Sequence, residues 1–270
     1  MTDEALDAIE AALAKSKRYA AVDPGAVRRI ATKALRSAGG DVADAVKRTK
    51  RGLHEIYGAY LPGSAPNYPG MLRRLEKAIA EGTEDAERGA LAAAMAVHAS
   101  TRERLPHLET FYGEIFDRIE APSSIRDVAC GLNPLAIRWM PLAGQVTYFA
   151  SDIDARQIEF LDAALTALRV EHRAEVLDLM TAPLDDPVDL TLLLKTVPCM
   201  ERQESGAGWA LIDRVNSPTV VVTFPTKSLG QRSKGMFQTY TAAFEEHARG
   251  RPWTYDRLEI PNELIYLVRK

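Results

Sequence analysis

Two cysteines, Cys130 and Cys199, are all that this 270-residue sequence holds. They lie in separate apolar segments with no histidine at ligand spacing, so neither a disulfide framework nor a zinc site is indicated. No apolar run approaches the roughly 18 uncharged residues that a membrane helix requires. The opening MTDEALDAIE is acidic where a secretory signal is basic and then apolar. The expectation is a cytoplasmic protein with no membrane contact and no metal. A full Gly-x-Gly-x-x-Gly turn is absent, and His54, His98, His107, His172 and His247 form no pair at a catalytic spacing. The net charge of −3 shows no global imbalance. What is present is a 46% apolar chain, long enough for two ordinary domains with real cores.

The charge is unevenly spread. Between Lys15 and Arg51 stand eleven basic residues against only Asp23, Asp41 and Asp44, a local excess of eight positive charges. An excess of this size is a candidate phosphate-binding surface, with Arg28, Arg29, Lys33, Lys47, Arg48, Lys50 and Arg51 as its contacts. A solvated helix face is the competing reading.

The first hundred residues read as helices. Asp23-Pro24 supplies a cap followed by proline at the first helical position, and Val27, Ile30, Ala31, Ala34 and Leu35 recur at helical spacing until Gly39-Gly40. Asp41 caps a second helix that buries Leu53, Ile56 and Tyr57. Residues 61–70, with three prolines and two glycines, read as a loop. Further helical patterns cover 71–79, 91–98 and 108–119, so that Tyr57, Tyr60, Phe111 and Tyr112 are expected in the core. After Pro122 the period becomes strand-like. Strands are expected at 125–130, 146–151, 174–177, 190–195 and 219–224, with helices at 154–169, 201–215 and 234–249, and a terminal hairpin over 255–260 and 264–268. Strand–helix alternation predicts a parallel sheet with right-handed crossovers. A parallel sheet finished by an antiparallel hairpin is the α/β, Rossmann-like architecture of class I methyltransferases. The division expected is an all-α domain over residues 1–105 and a Rossmann-like domain over 106–270.

Ligands of such sheets lie outside the carboxyl ends of the strands. The first strand runs into Asp127-Val128-Ala129-Cys130-Gly131-Leu132-Asn133-Pro134, the second into Ser151-Asp152-Ile153-Asp154, and the third into Asp178-Leu179. A carboxylate after the second strand can accept both ribose hydroxyls of an adenosine-containing cofactor, and Asp178 with Leu179 can take an adenine amino group and ring. Each acid alone reads first as a helix cap or surface charge; three at successive strand ends are harder to dismiss.

The sequence resembles the 16S ribosomal RNA guanine-N7 methyltransferases that confer aminoglycoside resistance in aminoglycoside-producing actinomycetes. Five segments carry the resemblance: His98-Ala99-Ser100-Thr101-Arg102-Glu103-Arg104-Leu105-Pro106, Ala129-Cys130-Gly131-Leu132-Asn133-Pro134, Ser151-Asp152-Ile153-Asp154, Leu194-Lys195-Thr196-Val197-Pro198-Cys199, and the stretch Phe224-Pro225-Thr226-Lys227-Ser228-Leu229-Gly230-Gln231-Arg232. The resemblance implies S-adenosylmethionine as cofactor and guanine 1405 of the decoding site, within the 30S subunit, as target. It implies that Arg104 binds the cofactor carboxylate, Gly131 admits its methionine end, Asp152 with Ile153 holds the ribose, and Asp178 with Leu179 holds the adenine.

Guanine N7 carries an in-plane lone pair and no proton, so the reaction needs alignment and desolvation rather than a general base. Groups to place the nucleotide are needed instead. Lys195, ending the apolar run 190–194, and Arg232, in a loop with Lys227 and Lys234, are the candidates; a snorkelling lysine and a solvated turn are the alternatives. Cys130 reads as a small buried hydrophobe, and Cys199 as a residue of the target entrance without a nucleophilic role. A monomer is expected. Three other readings stay open: a methyltransferase of the same fold acting on an adenine of the decoding site or on transfer RNA, a nicotinamide-dependent oxidoreductase, and a non-catalytic RNA-binding module.

Overall fold

The computed structural model describes residues 3–61, 65–226 and 235–270. Three helices come first: α1 (Asp3–Ala14), α2 (Pro24–Ser37) and α3 (Val42–Ile56). Asp23 caps α2 by accepting from Ala26 N at 2.7 Å, and Asp41 caps α3 by accepting from Asp44 N. Gly39 and Gly40, at φ +60° and +93°, turn the chain between them. Leu6, Ile9, Leu13, Val27, Leu35 and Leu53 join in a hydrophobic cluster of their own, to which Ile153 adds.

Four helices follow: α4 (Tyr68–Glu81), α5 (Glu84–Met95), α6 (Ala99–Arg104) and α7 (Leu108–Phe116). Then come β1 (Ser124–Val128), β2 (Thr147–Asp152), α8 (Ala155–Ala167), β3 (Glu171–Val176), β4 (Leu190–Leu194), α9 (Thr196–Gln203), α10 (Ala207–Arg214), β5 (Thr219–Pro225), α11 (Met236–Ala248), β6 (Thr254–Ile260) and β7 (Glu263–Arg269). The strands form one seven-stranded sheet, ordered β3-β2-β1-β4-β5-β7-β6, in which β7 runs antiparallel to both neighbours. This is the expected parallel sheet with a terminal hairpin.

Side chains alternate between the two faces of the sheet. Leu192, Val221, Ile265 and Leu267 join one core, with Tyr68, Leu75, Leu91, Met95 and Phe111 from the preceding helices. Leu193, Val220, Val222, Leu264 and Tyr266 join the other, with residues of α9, α10 and α11. Helices α4 and α5 therefore share a core with the sheet, and the expected boundary at 105/106 falls inside that packing.

Two expectations need correction. The single helix over 201–215 is two, α9 and α10, because Gly206 adopts φ +87° and the Glu201 carboxylate accepts from the amides of Gly206 and Gly208 at the start of α10. A Cβ on Gly208 would lie 2.4 Å from the carbonyl oxygen of Val197, so the close approach of the two helices requires glycine there. The third strand starts at Glu171 rather than 174. It lies at the sheet edge, and its charged residues Glu171, Arg173 and Glu175 hide the short apolar signal that would have announced it.

Candidate active site

The carboxyl ends of β1, β2 and β4 open onto one pocket, roofed by Arg29 of α2, Ile56 and Tyr57 at the end of α3, and Tyr60. Asp152, Ile153, Asp178, Leu179, Arg104 and Lys195 all line it, as do Ala129, Cys130, Asn133 and His98. All the expected cofactor residues except Gly131 are thus among its walls. Gly131 stands behind them: its φ is +55°, its amide donates to Asp152 Oδ2 at 2.8 Å, and a Cβ there would lie 2.8 Å from Cε1 of His98. Its missing side chain admits the His98 ring, and its amide steers Asp152. The other Asp152 oxygen accepts from Ile153 N at 2.7 Å.

At the opposite end of the pocket Arg104 is buried. Its Nε and Nη2 donate to the two oxygens of Glu263 at 3.1 and 2.6 Å, and Nη1 donates to Asn133 Oδ1 at 2.9 Å. A guanidinium has five N–H groups, so two remain uncommitted, one on Nη1 and one on Nη2. Removing either partner would strand the other charge, at a cost of about 3–5 kcal/mol. Burial alone would raise the Glu263 pKa, but the charges of Arg104 and Lys195 hold it below its usual value. Asn133 also donates to Asp127 Oδ2, which accepts from the Tyr148 hydroxyl as well. Burial pushes the Asp127 carboxyl up to about 7.

Lys195 caps α9 in a left-handed conformation, φ +60°. Its ammonium is nearly buried, 2.9 Å from Glu103 and 3.9 Å from Glu263. It is therefore a fixed charge inside the site rather than a snorkelling strand end. Cys199, one turn further on, meets the Tyr60 hydroxyl at 3.1 Å, and burial raises its thiol pKa, which keeps it from acting as a thiolate. Of the aromatics expected in the core, Tyr57, Phe111 and Tyr112 are buried, whereas Tyr60 lines the pocket and stacks on His98.

The basic residues divide. Lys33, Arg48 and Arg51 line a wide groove between α2, α3 and α9, together with Arg36 and Arg202, and this groove adjoins the pocket through Arg29 and Gln203. Lys47 and Lys50 are exposed on α3. Arg28 turns away to Asp3, Asp7 and Glu10 of α1, and Arg29 turns inward to Asp178. Lys227, Arg232 and Lys234 lie outside the described residues. No group of three or more metal-ligating side chains stands together among the described residues. None of the helices described is long and apolar enough to cross a membrane.

Sequence reasoning assigned no role to Glu103, His98, Asn133 or Glu263. Glu263 had a usable signal: β7 is antiparallel, so its first residue lies at the edge where the parallel strands end, opposite Pro225.

This sheet order, with Asp152 at the end of β2 and Asp178 soon after β3 lining one pocket, defines a class I methyltransferase fold. The chain belongs to the ribosomal RNA methyltransferase (FmrO) family, whose model matches residues 15–267. It is 60% identical over 268 residues to the 16S rRNA (guanine(1405)-N(7))-methyltransferase of Micromonospora echinospora, covering 99% of this chain and 98% of that relative. The protein of the same name from Frankia casuarinae is 57% identical, with 99% and 95% covered. Among solved structures, the 16S rRNA methyltransferase RmtF in complex with S-adenosyl-L-homocysteine superposes with a TM-score of 0.86 at 31% identity, covering all of both chains.

Proposed function

We infer that the protein methylates N7 of guanine 1405 in 16S rRNA within the 30S subunit, and thereby confers resistance to 4,6-disubstituted deoxystreptamine aminoglycosides. The observation that carries this reading is the whole-chain likeness to the named relatives, which spans the pocket and the basic groove alike. The protein acts as a monomer in the cytoplasm. Residues 1–105 grip the rRNA and also supply Arg104 to the pocket, and residues 106–270 carry the rest of the methyl-transfer site.

S-adenosylmethionine fits the donor set of the pocket. The two uncommitted N–H groups of Arg104 suit a carboxylate, Asp152 suits ribose hydroxyls, and Asp178 beside Leu179 suits an aminopurine. Held by these residues, S-adenosylmethionine would supply a methyl group on positively charged sulfur for transfer to the lone pair of guanine N7.

The chain's own residues align and desolvate. Glu263 and Asn133 fix the plane of Arg104, so the carboxylate-binding edge is set before any ligand arrives. Burial, together with the charges of Arg104, Lys195 and Arg102, keeps His98 neutral, with its pKa lowered to about 4, and it packs the glycine turn. Lys195, held by Glu103, presents a fixed positive charge where the target nucleotide enters. Arg232 contributes a second. Lys33, Lys47, Arg48, Lys50, Arg51, Lys227 and Lys234 contact phosphates, while Arg28 is neutralised on α1.

Expression in a susceptible bacterium tests the reading. Resistance to 4,6-disubstituted but not 4,5-disubstituted aminoglycosides is expected; resistance to both groups would favour an adenine of the decoding site as the target.

A further inference from the structure

Arg29 sits on α2, among the cations that sequence pattern assigns to RNA, yet it points the other way. Its Nε donates to Asp178 Oδ2 at 2.8 Å and its Nη2 to Asp178 Oδ1 at 3.0 Å, and Nη2 also donates to Gln203 Oε1 at 2.8 Å. The pair is largely shielded: the Asp178 side chain is 7% exposed and that of Arg29 26%. One turn along α2, Lys33 donates to the carbonyl of Gln203. Both contacts bridge the N-terminal helices to the far rim of the pocket, and Arg29 is part of the pocket wall.

The near rim is tied as well. Asp23 N donates to the Ile153 carbonyl and Ala155 N to the Ala21 carbonyl, each at 2.8 Å, and Tyr57 donates to Asp154. The segment leading into α2 is thus anchored at the ribose-side loop, while Arg29 reaches across to the acid beyond β3. The helical layer is fastened on both sides of the pocket, and the Arg29–Asp178 pair is the fastening on the Asp178 side.

We propose that Arg29 is a cofactor-site residue: its bidentate pair with Asp178 fastens the N-terminal helices over the purine end of the pocket and couples cofactor affinity to rRNA affinity. The proposal rests on the reading of Asp178 as the purine acceptor. An ionised carboxylate offers about four lone-pair sites. Arg29 occupies two, Met180 N a third, and one on Oδ2 remains for an exocyclic amine. Arg29 therefore stays in place when the purine binds, and it holds the Asp178 carboxylate oriented as an acceptor. The same α2 carries Lys33 and Arg36 into the basic groove, so whatever fixes Arg29 also fixes the groove. Two ligands that favour one closed arrangement raise each other's affinity by the same factor.

Binding of S-adenosylhomocysteine, measured by calorimetry and stopped-flow dissociation on wild type, Arg29→Ala, Arg29→Lys and Asp178→Asn, tests this. So does binding of 30S subunits with and without S-adenosylhomocysteine. Arg29→Ala should weaken S-adenosylhomocysteine about tenfold, chiefly through faster dissociation. Arg29→Lys should weaken it less, since an ammonium replaces the fork with one point charge. The gain in 30S affinity that S-adenosylhomocysteine gives wild type should vanish in Arg29→Ala. If Arg29→Ala does not fold, Arg29→Lys carries the comparison. Wild-type affinity and dissociation in the Arg29 variants, with Asp178→Asn weakened, would overturn the proposal alone. Unchanged binding in Asp178→Asn as well would overturn the purine reading with it. An Arg29 variant that loses 30S binding equally with and without S-adenosylhomocysteine, its cofactor affinity intact, would make Arg29 an RNA contact. Absence of any S-adenosylhomocysteine effect on wild-type 30S binding would contradict the coupling.

Discussion

His98 is an imidazole with little freedom. Its ring stacks on Tyr60 with centroids 5.6 Å apart, fills the space beside Gly131, and leaves Nδ1 buried without a partner. Burial first, then the charges of Arg104, Lys195 and Arg102, lowers its pKa from 6.5 to about 4. In the unfolded chain the ring regains its ordinary pKa. Between those values the unfolded state takes up a proton that the native ring refuses, so stability from this group is complete above 6.5 and falls as pH drops through the window. A pKa unit corresponds to about 1.4 kcal/mol, so the whole loss is on the order of 3 kcal/mol. Urea unfolding of wild type and His98→Gln at about pH 7 and pH 4.5 should show wild type losing on the order of 2 kcal/mol more than the variant. Equal losses would mean that His98 is not the buried neutral ring described.

At the scale of elements, α3 carries the clearest division between packing and binding. Thr49 and Leu53 face the helical core, whereas Lys47, Arg48, Lys50 and Arg51 are exposed, with Arg48 tied only to Asp44 on the same helix. Exposed charges add little to stability, so removing them tests binding with the fold intact. Neutralising these four should weaken 30S binding and flatten its salt dependence, by a log–log slope of about 0.7–0.9 per lost phosphate contact, while S-adenosylhomocysteine affinity holds. Identical affinity and slope would make this face merely solvated.

Elements differ in how legible they are. The terminal hairpin and α2 with its Asp23 cap are written in local chemistry, and so are the acids at strand ends. The polar edge strand β3 and the α9–α10 break are not, because tertiary contacts decide them: a neighbouring strand in one case, Glu201 and Gly208 in the other. The site follows the same rule. Asp152 could be placed from its strand, whereas the Arg104–Glu263 pair joins residues 159 positions apart, and the inward turn of Arg29 toward Asp178 spans 149. No local pattern carries such pairings.

Across the whole molecule, a helical layer with a cationic groove is fastened to a sheet whose strand ends hold a cofactor-shaped set of donors and acceptors. The groove and pocket meet at Arg29 and Gln203, so a folded RNA lying along the groove can deliver one base to the pocket. Attack by an unprotonated ring nitrogen explains why the pocket has fixed cations and a neutral imidazole instead of an acid–base pair. The most direct measurement is mass mapping of 16S rRNA after purified protein and S-adenosylmethionine have acted on intact 30S subunits. The account predicts one added methyl group on guanine 1405, with the fragmentation and chemical lability of N7-methylguanine. A methyl group on an adenine or at another guanine position, or none with cofactor bound, would contradict it.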